Sequence, residues 1–163
     1  WIDHDNISDI MNLTADILKA LNIKPIFQIS NINIPKLVAN ELNIDLELFK
    51  NGEIATLFKL NCEWLNKLIK VKDIKSLEDV ISIIPNSIKS ELEKLLQKAK
   101  EVDYSNIIIA PLYYGSLRYY DGIYYRVIND NLTICKGGMY SSEGMNSLGF
   151  ALYTDNLLKI LED

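Results

Sequence analysis

The sequence predicts an α+β fold, a mostly antiparallel sheet with flanking helices, because its two halves differ sharply in composition. All nine tyrosines and six of the seven glycines lie after position 103, whereas thirteen of the fifteen lysines lie before it. Apolar residues recur at helical spacing in the first half, and short β-branched and aromatic runs replace that pattern in the second. We therefore expect a single domain over 1–163, helical over 1–103 and sheet-rich over 104–163.

The first half begins with an amphipathic helix for which Ser8 is the candidate N-cap and Pro25 the end. Its apolar face consists of Ile10, Leu13, Ile17, Leu18 and Leu21. A short strand follows at Ile26–Ile29, and Pro35 fits the first turn of a second helix. Asp45 is a candidate cap of a further short helix, which Gly52 ends.

Helical patterning resumes at Ile54–Leu60 and again at Trp64–Val71. The run Ser76–Asp79 resembles a capping box that opens another helix. The clearest helix begins at Ser87, and its apolar face consists of Ile88, Leu92, Leu95, Leu96 and Ala99.

The period changes after Asp103, and we expect the sheet within residues 106–153. Strands are predicted at 106–109, 122–128, 132–135 and 148–153, with a turn at 129–131 because Asn and Asp tolerate left-handed backbone angles. Gly137 and Gly138 are expected to break the strand that returns from this turn. Thr154 or Asp155 then caps a final helix.

Composition excludes several classes of function. A formal net charge of −5 argues against nucleic acid as the main partner. The longest strongly apolar run, about Ile107–Tyr114, is far shorter than the roughly 20 residues of a membrane helix, so no membrane partner is expected. Cys62 and Cys135 lack further ligands at metal-binding spacing, and His4 is the lone histidine. We expect no metal, no cofactor, two reduced thiols and a cytoplasmic location.

The chain begins at Trp1 without a methionine, which predicts a fragment of a longer protein. It carries no phosphate-binding glycine loop and no nucleophile elbow. Carboxylate pairs such as Asp3 and Asp5 are better explained as exposed charges. These observations give no catalytic constellation.

The strongest local signal is a tyrosine cluster. Six tyrosines fall within thirteen residues, namely Tyr113, Tyr114, Tyr119, Tyr120, Tyr124 and Tyr125. Tyrosine offers a flat apolar face and a terminal hydroxyl, so such clusters line pockets for small polar or aromatic ligands. The alternative is alternating sheet packing with hydroxyls that reach the rim.

Three motifs in order carry a family resemblance: Leu117-Arg118-Tyr119-Tyr120-Asp121-Gly122, then Lys136-Gly137-Gly138-Met139-Tyr140-Ser141, then Leu148-Gly149-Phe150-Ala151 before a Leu-rich helix. They resemble the C-terminal half of the histidyl-tRNA synthetase catalytic core. The resemblance is closer still to its non-catalytic paralogue, the regulatory subunit of ATP phosphoribosyltransferase. It implies a partial class II aminoacyl-tRNA synthetase-like core.

The departures from the family pattern argue against catalysis. The family's arginine before the tyrosine pair falls on Gly115, its glycine-loop arginine on Met139, and its third-motif arginine on Asn156. The carboxylate of the glycine loop falls on Ser141. Replacing arginine removes a fixed charge and its bidentate fork, so the resemblance implies no amino-acid adenylation.

The resemblance also implies a ligand platform. Tyr119 and Tyr120 match the pair that contacts histidine in the synthetases, in the same motif as Gly122. Gly137 and Gly138 match glycines that let the backbone approach the ligand, and Tyr140 belongs to the same loop. A bulge or turn is the alternative for the two glycines.

The resemblance implies a non-catalytic regulatory subunit that binds histidine or a related small molecule. Its expected partner is the catalytic subunit of ATP phosphoribosyltransferase, in a homodimer or hetero-oligomer. Two alternatives remain: an active histidyl-tRNA synthetase, and an orphan domain that serves only ligand binding or dimerisation.

Overall fold

The computed structural model describes residues 6–115, 120–142 and 145–162 of the chain. Eight helices and five strands occur in these ranges. The helices are α1 (Ile7–Ala20), α2 (Asn33–Leu42), α3 (Glu47–Lys50), α4 (Ile54–Phe58), α5 (Glu63–Ile69), α6 (Ile74–Ile81), α7 (Asn86–Lys100) and α8 (Thr154–Glu162). The strands are β1 (Ile26–Asn31), β2 (Ile107–Ile109), β3 (Tyr120–Asn129), β4 (Leu132–Ser142) and β5 (Met145–Leu152). Trp1, Asp3, His4 and Asp5 lie outside the described residues.

Two of the predicted helix starts are wrong by a few residues. Ser8 lies inside the first turn of α1 rather than at its cap, and its hydroxyl donates to the carboxylate of Glu101. The capping box of α6 is formed by Asp73 and Ser76, where the Ser76 amide donates to Asp73 Oδ1 over 2.8 Å. The helix therefore begins one turn before the Ser76–Asp79 box that the sequence suggested, because Asp73 offers the better placed acceptor.

The five strands form one sheet in the order β2-β1-β3-β4-β5. β1 runs parallel to β2, whereas the other three pairs are antiparallel. The prediction of a mostly antiparallel sheet is confirmed. The expectation that the sheet lies within residues 106–153 is wrong, because β1 comes from the helical half and pairs with both β2 and β3.

The β3–β4 hairpin turns at Asp130, whose φ of 51° confirms the predicted left-handed turn. Gly137 and Gly138 do not break β4, which runs through them to Ser142. The irregularity lies instead in the opposite strand, where the register shifts between Tyr120 and Tyr124 and Gly122 has a φ of +88°. A positive φ suits glycine because it has no Cβ.

The main core lies between one face of the sheet and the helices; α1, α7 and α8 contact the strands, and α2 to α6 add buried residues. Tyr125 is fully buried there, stacked on Phe27 with ring centroids 4.9 Å apart, and its hydroxyl lies 2.6 Å from Thr14 Oγ1. A second, smaller hydrophobic cluster lies on the opposite face, where Tyr120 and Tyr124 pack with Ile32. Within the described ranges, no helix has both the length and the apolar character needed to cross a membrane.

Candidate functional site

The opposite face of the sheet is polar and aromatic at its centre. Three strands contribute adjacent side chains there, since Gln28 pairs with Arg126 and Ser30 with Tyr124, while Arg126 also pairs with Lys136. Side chains alternate along a strand, so residues opposite each other in register share a face. We call this surface the tyrosine face.

A stacked tyrosine pair forms the floor of the tyrosine face. The rings of Tyr120 and Tyr124 are 5.3 Å apart at an interplanar angle of 14°. The Tyr124 hydroxyl donates to the carbonyl of Tyr113 over 2.6 Å and accepts from the Gly115 amide over 3.0 Å. Burial raises the pKa of Tyr124 well above its ordinary value, so this hydroxyl stays protonated. Its role is to hold the 113–115 segment over the sheet.

Arg126 is positioned by two neighbours. Its Nη2 donates to Gln28 Oε1 over 2.9 Å, and its guanidinium carbon lies 4.0 Å from the centroid of the Tyr113 ring. Its Nε is buried and has no hydrogen-bond partner among the residues that the structure describes. On the adjacent strand, the Lys136 ammonium lies 6.0 Å from the centroid of the Tyr153 ring. Two cationic residues on neighbouring strands thus each have an aromatic ring nearby.

Two adjoining cavities open on the tyrosine face. The smaller, of about 20 Å³, is lined by Tyr113, Gly115, Tyr120, Tyr124, Tyr125, Arg126 and Lys136. The larger, a groove of about 260 Å³, is lined by Tyr120, Lys136, Tyr140, Gly149, Phe150, Ala151 and Tyr153. Tyr120 and Lys136 line both, so the two spaces are neighbours. The groove approaches the volume of sites that hold small organic ligands.

Packing accounts for both glycines of β4. A Cβ on Gly138 would lie 2.6 Å from the Cβ of Tyr124 and 2.8 Å from Cδ1 of Tyr120. A Cβ on Gly137 would lie 2.6 Å from Cζ of Tyr125, on the core side of the sheet. Because Gly137 and Gly138 have no side chains, the tyrosines of β3 can pack against β4 at these two positions. That these glycines also contact a ligand stays a prediction.

The structure brings together part of the predicted site. Tyr120, Gly138 and Tyr140 share the tyrosine face, whereas Gly137 faces the core and Gly122 lies at the irregularity of β3. Tyr119 lies outside the described residues. Sequence reasoning missed four polar members of the face, which are Gln28, Ser30, Arg126 and Lys136. The alternation of Gln28 and Ser30 with apolar neighbours in β1 was the signal available for two of them.

A second polar cleft of about 330 Å³ lies between β1 and α7, on the core side of the sheet. There the fully buried Asn31 donates through Nδ2 to Glu91 Oε2 over 2.8 Å and accepts from the Asn33 amide over 3.0 Å. Burial opposes ionisation of Glu91, but hydrogen bonds from Lys94 and Asn31 outweigh it and lower its pKa. These contacts fasten α7 to the end of β1.

Comparison with curated proteins finds relatives of this chain. The chain is 35% identical over 150 residues to the ATP phosphoribosyltransferase regulatory subunit of Wolinella succinogenes, covering 92% of this chain and 52% of that protein. It is 34% identical over 161 residues to the protein of the same name in Helicobacter hepaticus, covering 99% and 57%. The chain thus spans about half the length of the curated relatives it matches. No protein-family model matches the sequence.

Solved structures show the same fold. A Bacillus halodurans protein described as an ATP phosphoribosyltransferase regulatory subunit/histidyl-tRNA synthetase matches with a TM-score of 0.73 at 14% identity, over 95% of this chain and 50% of that one. Histidyl-tRNA synthetase from a Nostoc species matches with a TM-score of 0.69 at 18% identity, over 99% and 48%. A chain of the ATP phosphoribosyltransferase complex of Thermotoga maritima matches with a TM-score of 0.59 at 16% identity, over 90% and 61%. These matches confirm the class II synthetase-like fold and its partial extent.

Proposed function

This chain is homologous to ATP phosphoribosyltransferase regulatory subunits, and from that premise we propose that its full-length protein regulates ATP phosphoribosyltransferase in histidine biosynthesis. The observation that carries the proposal is 35% identity over 92% of the chain to a relative of that name. The proposed partner is the catalytic subunit, since a chain of a Thermotoga maritima complex shares the fold. The proposed setting is the cytoplasm, which suits two unpaired cysteines.

We propose further that the protein is non-catalytic. Asn156 stands where the resemblance places an arginine that binds phosphate, and its Nδ2 instead donates to the Thr133 carbonyl over 2.8 Å, which ties α8 to β4. Met139 stands at a second arginine position and packs against the main core. Neither residue can compensate phosphate charge as arginine does, which supports regulation over adenylation.

The tyrosine face is the proposed site for histidine or a related small molecule. Its stacked floor and its groove are suited to a ligand with one flat and one polar end. Regulation would then arise because the ligand has different affinities for two assembly states.

The test is size-exclusion chromatography of the full-length protein with the same organism's catalytic subunit, with and without histidine. We expect co-elution, and a shift of the elution volume when histidine is present. Separate elution under both conditions would contradict the partnership and leave an orphan ligand-binding or dimerisation domain. ATP–pyrophosphate exchange with histidine is the companion assay, in which detectable exchange would show an active synthetase.

A further inference from the structure

We propose that Arg126 and Lys136 form an anion-binding site on the tyrosine face, and that the ligand of this face carries a carboxylate or phosphate group. The inference deepens the ligand-binding part of the proposed function and rests on it for the choice of probes. It assigns to the face two residues that the family resemblance does not supply.

Arg126 is held in a position from which it can bind an anion. Gln28 engages its Nη2 and the Tyr113 ring lies against its guanidinium, so the side chain has a fixed orientation. Guanidinium presents five N–H donors in a rigid fork that matches an oxyanion. The buried Nε has no acceptor within residues 6–115, 120–142 and 145–162. A buried donor without an acceptor costs free energy, which an oxyanion bound there would recover.

The positive charge of Arg126 and Lys136 is uncompensated among the described residues. Lys136 is the register partner of Arg126 across β3 and β4. Neither forms a salt bridge within the described ranges, where seven other ion pairs occur. No Asp or Glu is among the described residues that line either cavity of the face. Two adjacent partly buried cations repel each other, and an anion between them removes the repulsion.

The space beside the two cations suits an anionic group attached to a larger molecule. The cavity that Arg126 and Lys136 share is about 20 Å³, which is room for about one water molecule and so for a single oxygen of an acidic group. Tyr120 and Lys136 also line the larger groove, which can take the rest of the group. An anionic head therefore fits beside Arg126 while the rest of a small molecule lies along Tyr140 and Tyr153.

Calorimetric titration of the full-length protein with three probes tests the inference. The probes are histidine, its neutral carboxamide, and inorganic phosphate as ligand and as competitor. For a carboxylate ligand, we expect histidine to bind roughly tenfold or more tightly than the carboxamide, because hydrogen bonds to charged groups are strong. For a phosphate-bearing ligand, we expect inorganic phosphate itself to bind, and to compete with histidine where histidine binds.

The variants R126Q and K136Q should remove most of this preference or weaken phosphate binding by a similar factor. K59Q is the matched control, since Lys59 is an exposed cation at the C-terminal end of α4 that lines neither cavity of the face. Thermal melts verify that each variant is folded. If R126Q does not fold, K136Q and the comparison of the probes on the unaltered protein still test whether the face binds an anion.

Equal affinity for histidine and its carboxamide, together with no effect of phosphate, would overturn the inference. Failure of all three probes to bind would overturn it equally. Co-elution with the catalytic subunit is measured on the same preparations. Co-elution without anion preference would refute the anion site and leave the regulatory role intact. Anion preference without co-elution would support the anion site and contradict the partnership with the catalytic subunit.

Discussion

Replacing Gly138 by alanine should destabilise the protein, because the two tyrosines of β3 occupy the space of a side chain. The new Cβ would lie 2.6 Å from the Cβ of Tyr124, whereas carbon atoms in contact are normally about 3.5–4.0 Å apart. The Tyr124 Cβ moves only with the backbone of β3, so the two strands must separate by about 1 Å. Overpacking of this kind costs about 1–3 kcal/mol.

A thermal melt followed by circular dichroism measures the effect. For a cooperative unit of this size, 1 kcal/mol corresponds to about 2–4 °C, so the Gly138→Ala variant should melt roughly 2–12 °C below the unaltered protein. Gly149→Ala is the matched control on β5, since Gly149 is the register partner of Gly138. Its Cβ would lie 3.5 Å from Tyr140 Cε1, an ordinary contact, and alanine suits a strand better than glycine by about 0.5–1 kcal/mol.

An unchanged melting temperature in Gly138→Ala would refute the packing argument. Loss of ligand binding at an unchanged melting temperature would show instead that the glycine is there for close approach of a ligand.

Three further outcomes follow from the contacts. Tyr125→Phe removes the hydrogen bond to Thr14 and should lower the free energy of unfolding in urea by about 1 kcal/mol, and full stability in the variant would show that this bond contributes nothing. Burial raises the pKa of the Cys135 thiol to about 12, so this thiol should not react with iodoacetamide at pH 8. Peptide mapping of the native protein should find Cys62 modified and Cys135 intact, and urea should make both react. Equal labelling of the two cysteines in the native protein would contradict the burial of Cys135. The Ser76 amide and hydroxyl hold the pKa of Asp73 below its ordinary value of 3.8, so the cap stabilises the protein above that pH and its contribution is lost as the pH falls through the folded value. The difference in melting temperature between the unaltered protein and Asp73→Asn should therefore shrink below about pH 4, and a difference that stays constant from pH 6 to about pH 3 would disprove the linkage.

The helices and the β3–β4 hairpin could be predicted because their signals are local. Apolar periodicity predicted the long helix from Ser87, one residue after its observed start at Asn86, and the Asn129–Asn131 cluster predicted the turn. A strand at Ile26–Ile29 was predicted, but its place in the sheet was not, because the sequence of a short strand does not indicate its distant partners. Gly137 and Gly138 were misread as a strand break since the tyrosines that fill their space lie on another strand.

Only part of the candidate site could be predicted from the sequence. The tyrosine cluster indicated a ligand face, and Tyr120 and Tyr140 do line its groove. Arg126 and Lys136 are ten residues apart in the chain and meet only through the register of the hairpin. No spacing rule links such a pair, so a purely sequential search for motifs passes over it.

The place of β1 in the sheet has a consequence for how the chain reaches its native state. β1 pairs with β2 and β3 only after the entire helical segment from Asn33 to Lys100 has been looped out between them. Contacts of such long sequence separation carry a loop-closure cost before they yield any stabilisation, and they slow folding. During synthesis β1 leaves the ribosome before both of its partner strands, β2 and β3. Until those strands follow, the amides and carbonyls on Ile26–Asn31 that will pair with them are exposed to pairing with a wrong partner.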